Sequence, residues 1–331
     1  MKLLRYGAAG QEKPGLLDAQ GVLRDLSGII PDVAGKALTS GSLAKIKALD
    51  PQTLPKVDGA PRIGACVGDV RNFIAVGLNF ADHAAETGAE IPKEPILFNK
   101  APNCIVGPND DVIIPKGSKK TDWEVELAIV IGDGGSYIPE DKAMAAIAGF
   151  AVCNDVSERE FQIERGGQWA KGKGCPTFGP LGPWLVTTDE VKDVQNLAMW
   201  LEVDGERVQN GSSKTMIFGC AYLVHYISQF MRLDPGDVIT TARRRPRLQA
   251  AALPEGRRGR QARHRGPRRA AAALQGLSGL RPLPLDMKKG RSRGPFFVTT
   301  AAGAGSLLRQ PQHQPDVLHG SARSALAEIV Q

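Results

Sequence analysis

The sequence predicts an α+β fold dominated by strands: a mixed β-roll preceded by a small N-terminal domain. Three observations lead there. Short β-branched and apolar runs recur along residues 1–241, separated by Gly, Pro, Asn and Asp. Helical spacing appears only in short segments. No long alternation of strands with helices of 10–15 residues marks a doubly wound sheet.

Residues 1–65 form the predicted small domain. Residues 2–6 read as a strand, and 15–18 with 21–26 as a hairpin. Residues 40–49 read as a short helix, ended by Pro51. The stretch holding Pro51, Pro55 and Pro61 marks the boundary. Residues 66–241 form the predicted main domain. Its strands are 73–78, 111–115, 124–131 and 148–153, with a hairpin at 197–208 turning on Asp204-Gly205. Residues 80–87 give one or two helical turns and 142–147 a short helix. In 221–231, Leu223, Tyr226, Ile227 and Phe230 share a helical face.

Residues 242–331 are of another composition. Residues 1–241 carry 24 Lys+Arg against 31 Asp+Glu, a net −7, whereas 242–331 carry 18 against 4, a net +14. Eleven arginines and no lysine fall within 243–269. The overall charge of +7 therefore describes neither part and implies no acidic partner. Five scattered cysteines without a C-x-x-C pair argue against a disulfide framework or structural zinc. No apolar run approaches the roughly 18 residues of a membrane helix, and the first residues lack a signal peptide's apolar core. A cytoplasmic location is expected.

The chemistry-bearing residues fall in four places. In Trp123-Glu124-Val125-Glu126-Leu127, two carboxylates at i and i+2 project from one strand face, where a hard divalent cation relieves their repulsion. A solvent-facing edge strand gives the same pattern, but the apolar continuation 127–131 argues for burial. Asp155 ends the apolar run 150–153 as a third oxygen ligand would, or as a turn residue. His83 and Glu86, at i and i+3, form either a water-activating pair or a surface pair. Lys171-Gly172-Lys173-Gly174 presents cations from a Gly-rich segment, suited to an anionic substrate or merely solvated.

Taken together these segments resemble the fumarylacetoacetate hydrolase family. Gly77-Leu78-Asn79-Phe80-Ala81-Asp82-His83-Ala84-Ala85-Glu86 is similar to its G-L-N-Y-x-x-H-x-x-E signature. Asp122–Ala128, Asn154–Gln162, the stretch from Lys171 to Trp184 and Pro235–Thr241 resemble further family segments in the same order. The resemblance spans residues 1–241. It implies a Mg²⁺- or Mn²⁺-dependent enzyme acting on a 2-oxo or 2,4-dioxo acid, usually by hydrolysis of a carbon–carbon bond, and commonly a homodimer. It implies Glu124, Glu126 and Asp155 as metal ligands, His83 and Glu86 as the water-activating pair, and Lys173 as the stabiliser of developing negative charge. Arg159, Gln162 and Thr241 would contact substrate. Residues 162–169 resemble the group that cleaves 2,4-dioxo-3-deoxy sugar acids.

Two other activities fit the same scaffold: decarboxylation of a 2-oxo acid and a ureidoglycolate-type lyase reaction. A non-enzymatic alternative is nucleic-acid binding by the basic tail. That tail lacks aromatic residues for base stacking over 242–295, and no specific nucleic-acid partner is expected.

The chain departs from the family at Phe80, where Tyr is usual, and at Cys175-Pro176, where Asp precedes the Thr. The larger departure follows Thr241. Ala-, Arg-, Gly- and Pro-rich text is what GC-rich coding DNA yields when read out of frame. Back-translation of 242–269 with freely chosen synonymous codons, shifted forward by one base, can read as family-like strand sequence. The expectation is a frameshift near Thr241, an incomplete catalytic domain, a disordered tail and impaired activity.

Overall fold

The computed structural model describes residues 1–82, 88, 90–203 and 206–241, together with the strand backbone at Ala270–Gln275. All of these lie in one compact unit, Met1–Leu283. The strands are β1 (Lys2–Tyr6), β2 (Lys13–Leu17), β3 (Leu23–Asp25), β4 (Phe73–Gly77) and β5 (Ile96–Lys100). They continue with β6 (Ile105–Val106), β7 (Thr121–Asp122), β8 (Val125–Ile131), β9 (Ile147–Asn154) and β10 (Ser157–Glu158). The last are β11 (Gly179–Thr187), β12 (Ala198–Val203), β13 (Glu206–Ser212), β14 (Val238–Thr241) and β15 (Ala270–Gln275).

Among the described residues, nine strands run β3-β2-β1-β11-β9-β8-β14-β4-β5 in one sheet, and β6 joins it beside β11. The sheet is mixed: β14 lies antiparallel to β8 and parallel to β4. The predicted first hairpin thus extends the main sheet, with β1 antiparallel to β11 through Lys2–Val186 and Leu3–Leu185. Strands β13, β12 and β15 form a separate three-stranded sheet, and β7 pairs with β10.

Strand β8 shows why the centre is stable. All seven of its residues are buried. Successive side chains alternate faces, so Leu127, Ile129 and Ile131 enter one core with Ile74, Phe80 and Ile239, while Ala128 and Val130 enter the other with Phe73, Ala151 and Phe178. Each fully buried aliphatic side chain there contributes about 1.5–3 kcal/mol. Glu124 and Glu126 carry the same parity as Ala128 and Val130, which sets both carboxylates on one face.

Helices are short, as expected. Ser40–Lys47 ends two residues before the predicted limit, and Cys220–Ser228 buries Leu223, Val224 and Ile227 against the sheet. One expectation fails. Residues 111–115 are not a strand: Ile113 is exposed and its backbone N–H donates to the Thr177 hydroxyl at 2.7 Å, so no strand ladder is available to it. Conversely, β11 was not anticipated because Pro180 and Pro183 argue against a central strand. The strand accommodates them with a register shift between Gly182 and Val186.

Candidate metal centre

The site forms where β8 begins and β9 ends. The Asp155 N–H donates to the Glu124 carbonyl at 2.8 Å, and the Glu124 N–H donates to Asn154 Oδ1 at 3.0 Å. The Val125 N–H donates to Gln209 Oε1 at 2.8 Å, which ties β13 to the same corner. These bonds bring Glu124, Glu126 and Asp155 together, each offering a carboxylate oxygen within 4.8 Å of the others. All three are buried.

Two of the carboxylates have cations. Lys173 Nζ donates to Glu124 Oε2 at 2.6 Å and also to Asp155 Oδ2. Arg159 donates through Nη2 to Glu124 Oε1 at 2.5 Å and to Asp122 Oδ2 at 2.8 Å, and through Nη1 to Gln162 Oε1 at 3.0 Å. Burial alone would raise the Glu124 pKa, but Arg159 and Lys173 outweigh it and hold the carboxyl well below its ordinary range. Burial likewise opposes the charge on Lys173, yet Asp155 and Glu124 raise its pKa.

Glu126 is different. Both of its oxygens are buried without a hydrogen-bond partner. Burial, then the Asp155 and Glu124 charges, drive its pKa well above the ordinary value. An ionised carboxylate in that place calls for a cation, and three clustered carboxylates are the donor set of a hard divalent ion. The residues present therefore fit Mg²⁺ or Mn²⁺.

The remaining expectations fall as follows. His83 and Glu86 lie outside the described residues. Thr241 is buried at the end of β14, with its hydroxyl donating to the Leu127 carbonyl at 3.3 Å. Phe80 is fully buried in an apolar cluster beside Ile74 and Leu127. Asn79 is a brace, with Oδ1 accepting from the Phe218 N–H at 2.9 Å and Nδ2 donating to the Phe218 carbonyl at 3.1 Å.

Sequence reasoning missed two groups. Phe98 lies under Lys173 Nζ, 5.3 Å from the ring centroid, and meets Trp169 edge-on at 5.1 Å. Gly77 keeps that wall close, because a Cβ there would stand 2.8 Å from the Trp169 ring. The second is Lys100, whose side chain is wholly buried against Asp155. Its only sequence signal is a lysine closing an apolar strand.

Comparisons with known proteins agree with this geometry. The family described as fumarylacetoacetate (FAA) hydrolase, C-terminal, matches residues 72–242. A protein of Burkholderia multivorans, named only provisionally as a hydrolase, is 63% identical over 241 residues, 73% of this chain and 86% of that one. The fumarylacetoacetate hydrolase of Exiguobacterium antarcticum superimposes with a TM-score of 0.63 at 31% identity, over 73% of this chain and 86% of that one. A 5-carboxymethyl-2-hydroxymuconate delta-isomerase from Mycobacterium smegmatis gives 0.57 at 30% identity, over 73% and 88%.

Proposed function

The chain belongs to the fumarylacetoacetate hydrolase family, and on that premise we propose that it is a divalent-metal-dependent hydrolase cleaving a carbon–carbon bond of a 2,4-dioxo acid. The observation that carries this reading is the buried, unpartnered Glu126 carboxylate beside Glu124 and Asp155. Those three residues would hold Mg²⁺ or Mn²⁺, which when bound supplies a template and Lewis acid for the substrate's 2-oxo carboxylate.

The chain's own groups do the rest. His83, with Glu86, is the proposed pair that takes a proton from water. The water oxygen bonds to the C4 carbonyl carbon, the C3–C4 bond breaks, and its electron pair passes to C3 as the enolate of a 2-oxo acid. Lys173 is the proposed stabiliser of that negative charge. Protonation at C3 then releases a 2-oxo acid beside a carboxylic acid. Arg159 and Gln162 are joined by a hydrogen bond at the site's edge, and they with Thr241 are the proposed substrate contacts.

The partner is thus a small 2-oxo or 2,4-dioxo acid, and the working form a homodimer. Among the described residues no helix is long and apolar enough to cross a membrane. The proposed location is the cytoplasm, from five scattered cysteines without paired spacing. Product analysis tests the reaction class. A short acylpyruvate should yield equimolar pyruvate and carboxylic acid, whereas release of CO₂ from oxaloacetate without acylpyruvate cleavage would assign a decarboxylase.

The same reading covers the tail. The family match ends at residue 242, where the arginine-rich composition begins, and the Burkholderia relative aligns over 73% of the chain. We infer a frameshift near Thr241 that leaves a family-type C-terminal region in another frame and lowers the activity of this chain. Sequencing the coding DNA across codons 238–272 decides it. An alternative frame without strand-forming sequence would sink the idea.

A further inference from the structure

Lys100 has no role in the chemistry above, yet its side chain is fully buried, which is rare for lysine unless paired. It closes β5 opposite Phe73 of β4, and Phe73 belongs to the core on the carboxylate face of the sheet. Its Nζ lies 2.5 Å from the Lys173 carbonyl oxygen, 3.3 Å from the Val156 carbonyl oxygen and 2.5 Å from Asp155 Oδ1. The two carbonyls accept its hydrogen bonds, and Asp155 Oδ1 faces it as an ion pair that leaves that oxygen without a hydrogen bond of its own.

The two lysines on Asp155 are held differently. Lys173 Nζ is held by the carboxylates of Glu124 and Asp155. Lys100 is anchored by two backbone carbonyls as well. One follows the strand-end ligand Asp155 directly, and the other belongs to the last residue of the helix Ala170–Lys173. We infer that Lys100 is a positioning residue of this site. It fixes the Asp155 carboxylate and the backbone of Lys173 in one frame, and leaves the Lys173 ammonium as the cation that can transfer to substrate. The inference rests on the metal-hydrolase reading.

Charge alone and positioning predict opposite signs. Lys100→Met removes a positive charge beside a carboxylate of the metal set, so Coulomb's law by itself makes a cation bind more tightly. Loss of positioning makes it bind more weakly, by about tenfold or more, as for other groups that orient metal ligands. Lys100→Gln also removes the charge but restores two donors toward the carbonyls.

The test is titration of the full chain with Mn²⁺, following the free-ion paramagnetic resonance signal, alongside circular dichroism of each variant. The expected result is Mn²⁺ binding by the unsubstituted chain, binding weakened about tenfold or more in Lys100→Met, and Lys100→Gln in between. Mn²⁺ affinity equal to or higher than the unsubstituted chain's in either folded variant overturns the inference. Failure of both to fold also overturns it, and assigns Lys100 to folding alone. No Mn²⁺ binding by the unsubstituted chain refutes the functional reading itself, and the inference with it.

Discussion

Replacing Glu126 by Gln should stabilise the metal-free fold while removing metal binding. The carboxylate has no hydrogen-bond partner, and its neighbours Glu124 and Asp155 offer oxygens within 4.8 Å. At an effective dielectric of ~20, a like-charge pair at that spacing costs roughly 3 kcal/mol before the cations on Glu124 and Asp155 screen it. Protonation sets a ceiling: holding a carboxyl protonated at neutral pH against an ordinary value near 4.3 costs roughly 4 kcal/mol. The new amide must find partners for its N–H groups, a loss of roughly 1–3 kcal/mol. A net gain of about 2 kcal/mol at neutral pH follows from these terms. The sign of the pH dependence is fixed. A carboxyl whose folded pKa is raised binds more protons in the folded state, so its burden on stability is absent below the unfolded value and grows as pH rises. Urea denaturation with chelator present, from acid to neutral pH, should show the Glu126→Gln midpoint pulling ahead of the parent as pH rises. A variant no more stable than the parent across that range, or one that still binds Mn²⁺ like the parent, would show that Glu126 carries neither the strain nor the metal.

Three further outcomes are expected. In a frame-restored chain, Lys173→Met should lower kcat about 10²- to 10³-fold, the usual effect of losing a group aimed at developing negative charge, with Mn²⁺ binding retained. Gly172→Ala should destabilise the fold and lower turnover together, because its Cβ would stand 2.3 Å from the Glu158 carbonyl oxygen; thermal denaturation of variant and parent measures this, at about 1–3 kcal/mol. Asp189, held down to about 2 by hydrogen bonds from Lys47 and Thr187, contributes stability that is present above the unfolded value of about 3.9 and lost as pH falls toward 2. Asp189→Asn should therefore lower the urea midpoint at neutral pH and leave it unchanged near pH 2.

The carboxylates were readable in the sequence because strand periodicity is strict: Glu124 and Glu126 at i and i+2, followed by an apolar run, share a face wherever the strand is buried. Asp155 was readable as the end of β9. Their number and order matched a known family, which fold-level pattern alone would not have supplied. Lys100 was not readable, because a lysine closing Ile96-Leu97-Phe98-Asn99 looks like a strand meeting solvent. Its pairing beside β4 and its contacts with Asp155, Val156 and Lys173 bury it. Strand β11 was hidden by its prolines, and residues 111–115 looked like a strand because apolar side chains can be exposed on a loop without forming a ladder. Tertiary pairing decided each of these, and local sequence does not carry it.

We propose that a divalent ion held by Glu124, Glu126 and Asp155 makes this fold a carbon–carbon hydrolase. The most direct test is pyruvate release from a short acylpyruvate, with Mg²⁺ and with chelator, by this chain and by its frame-restored counterpart. Chelator-sensitive release by the restored chain and a lower rate from this one are expected. Release that is indifferent to chelator, or no release by either chain with Mg²⁺ present, would contradict the proposal.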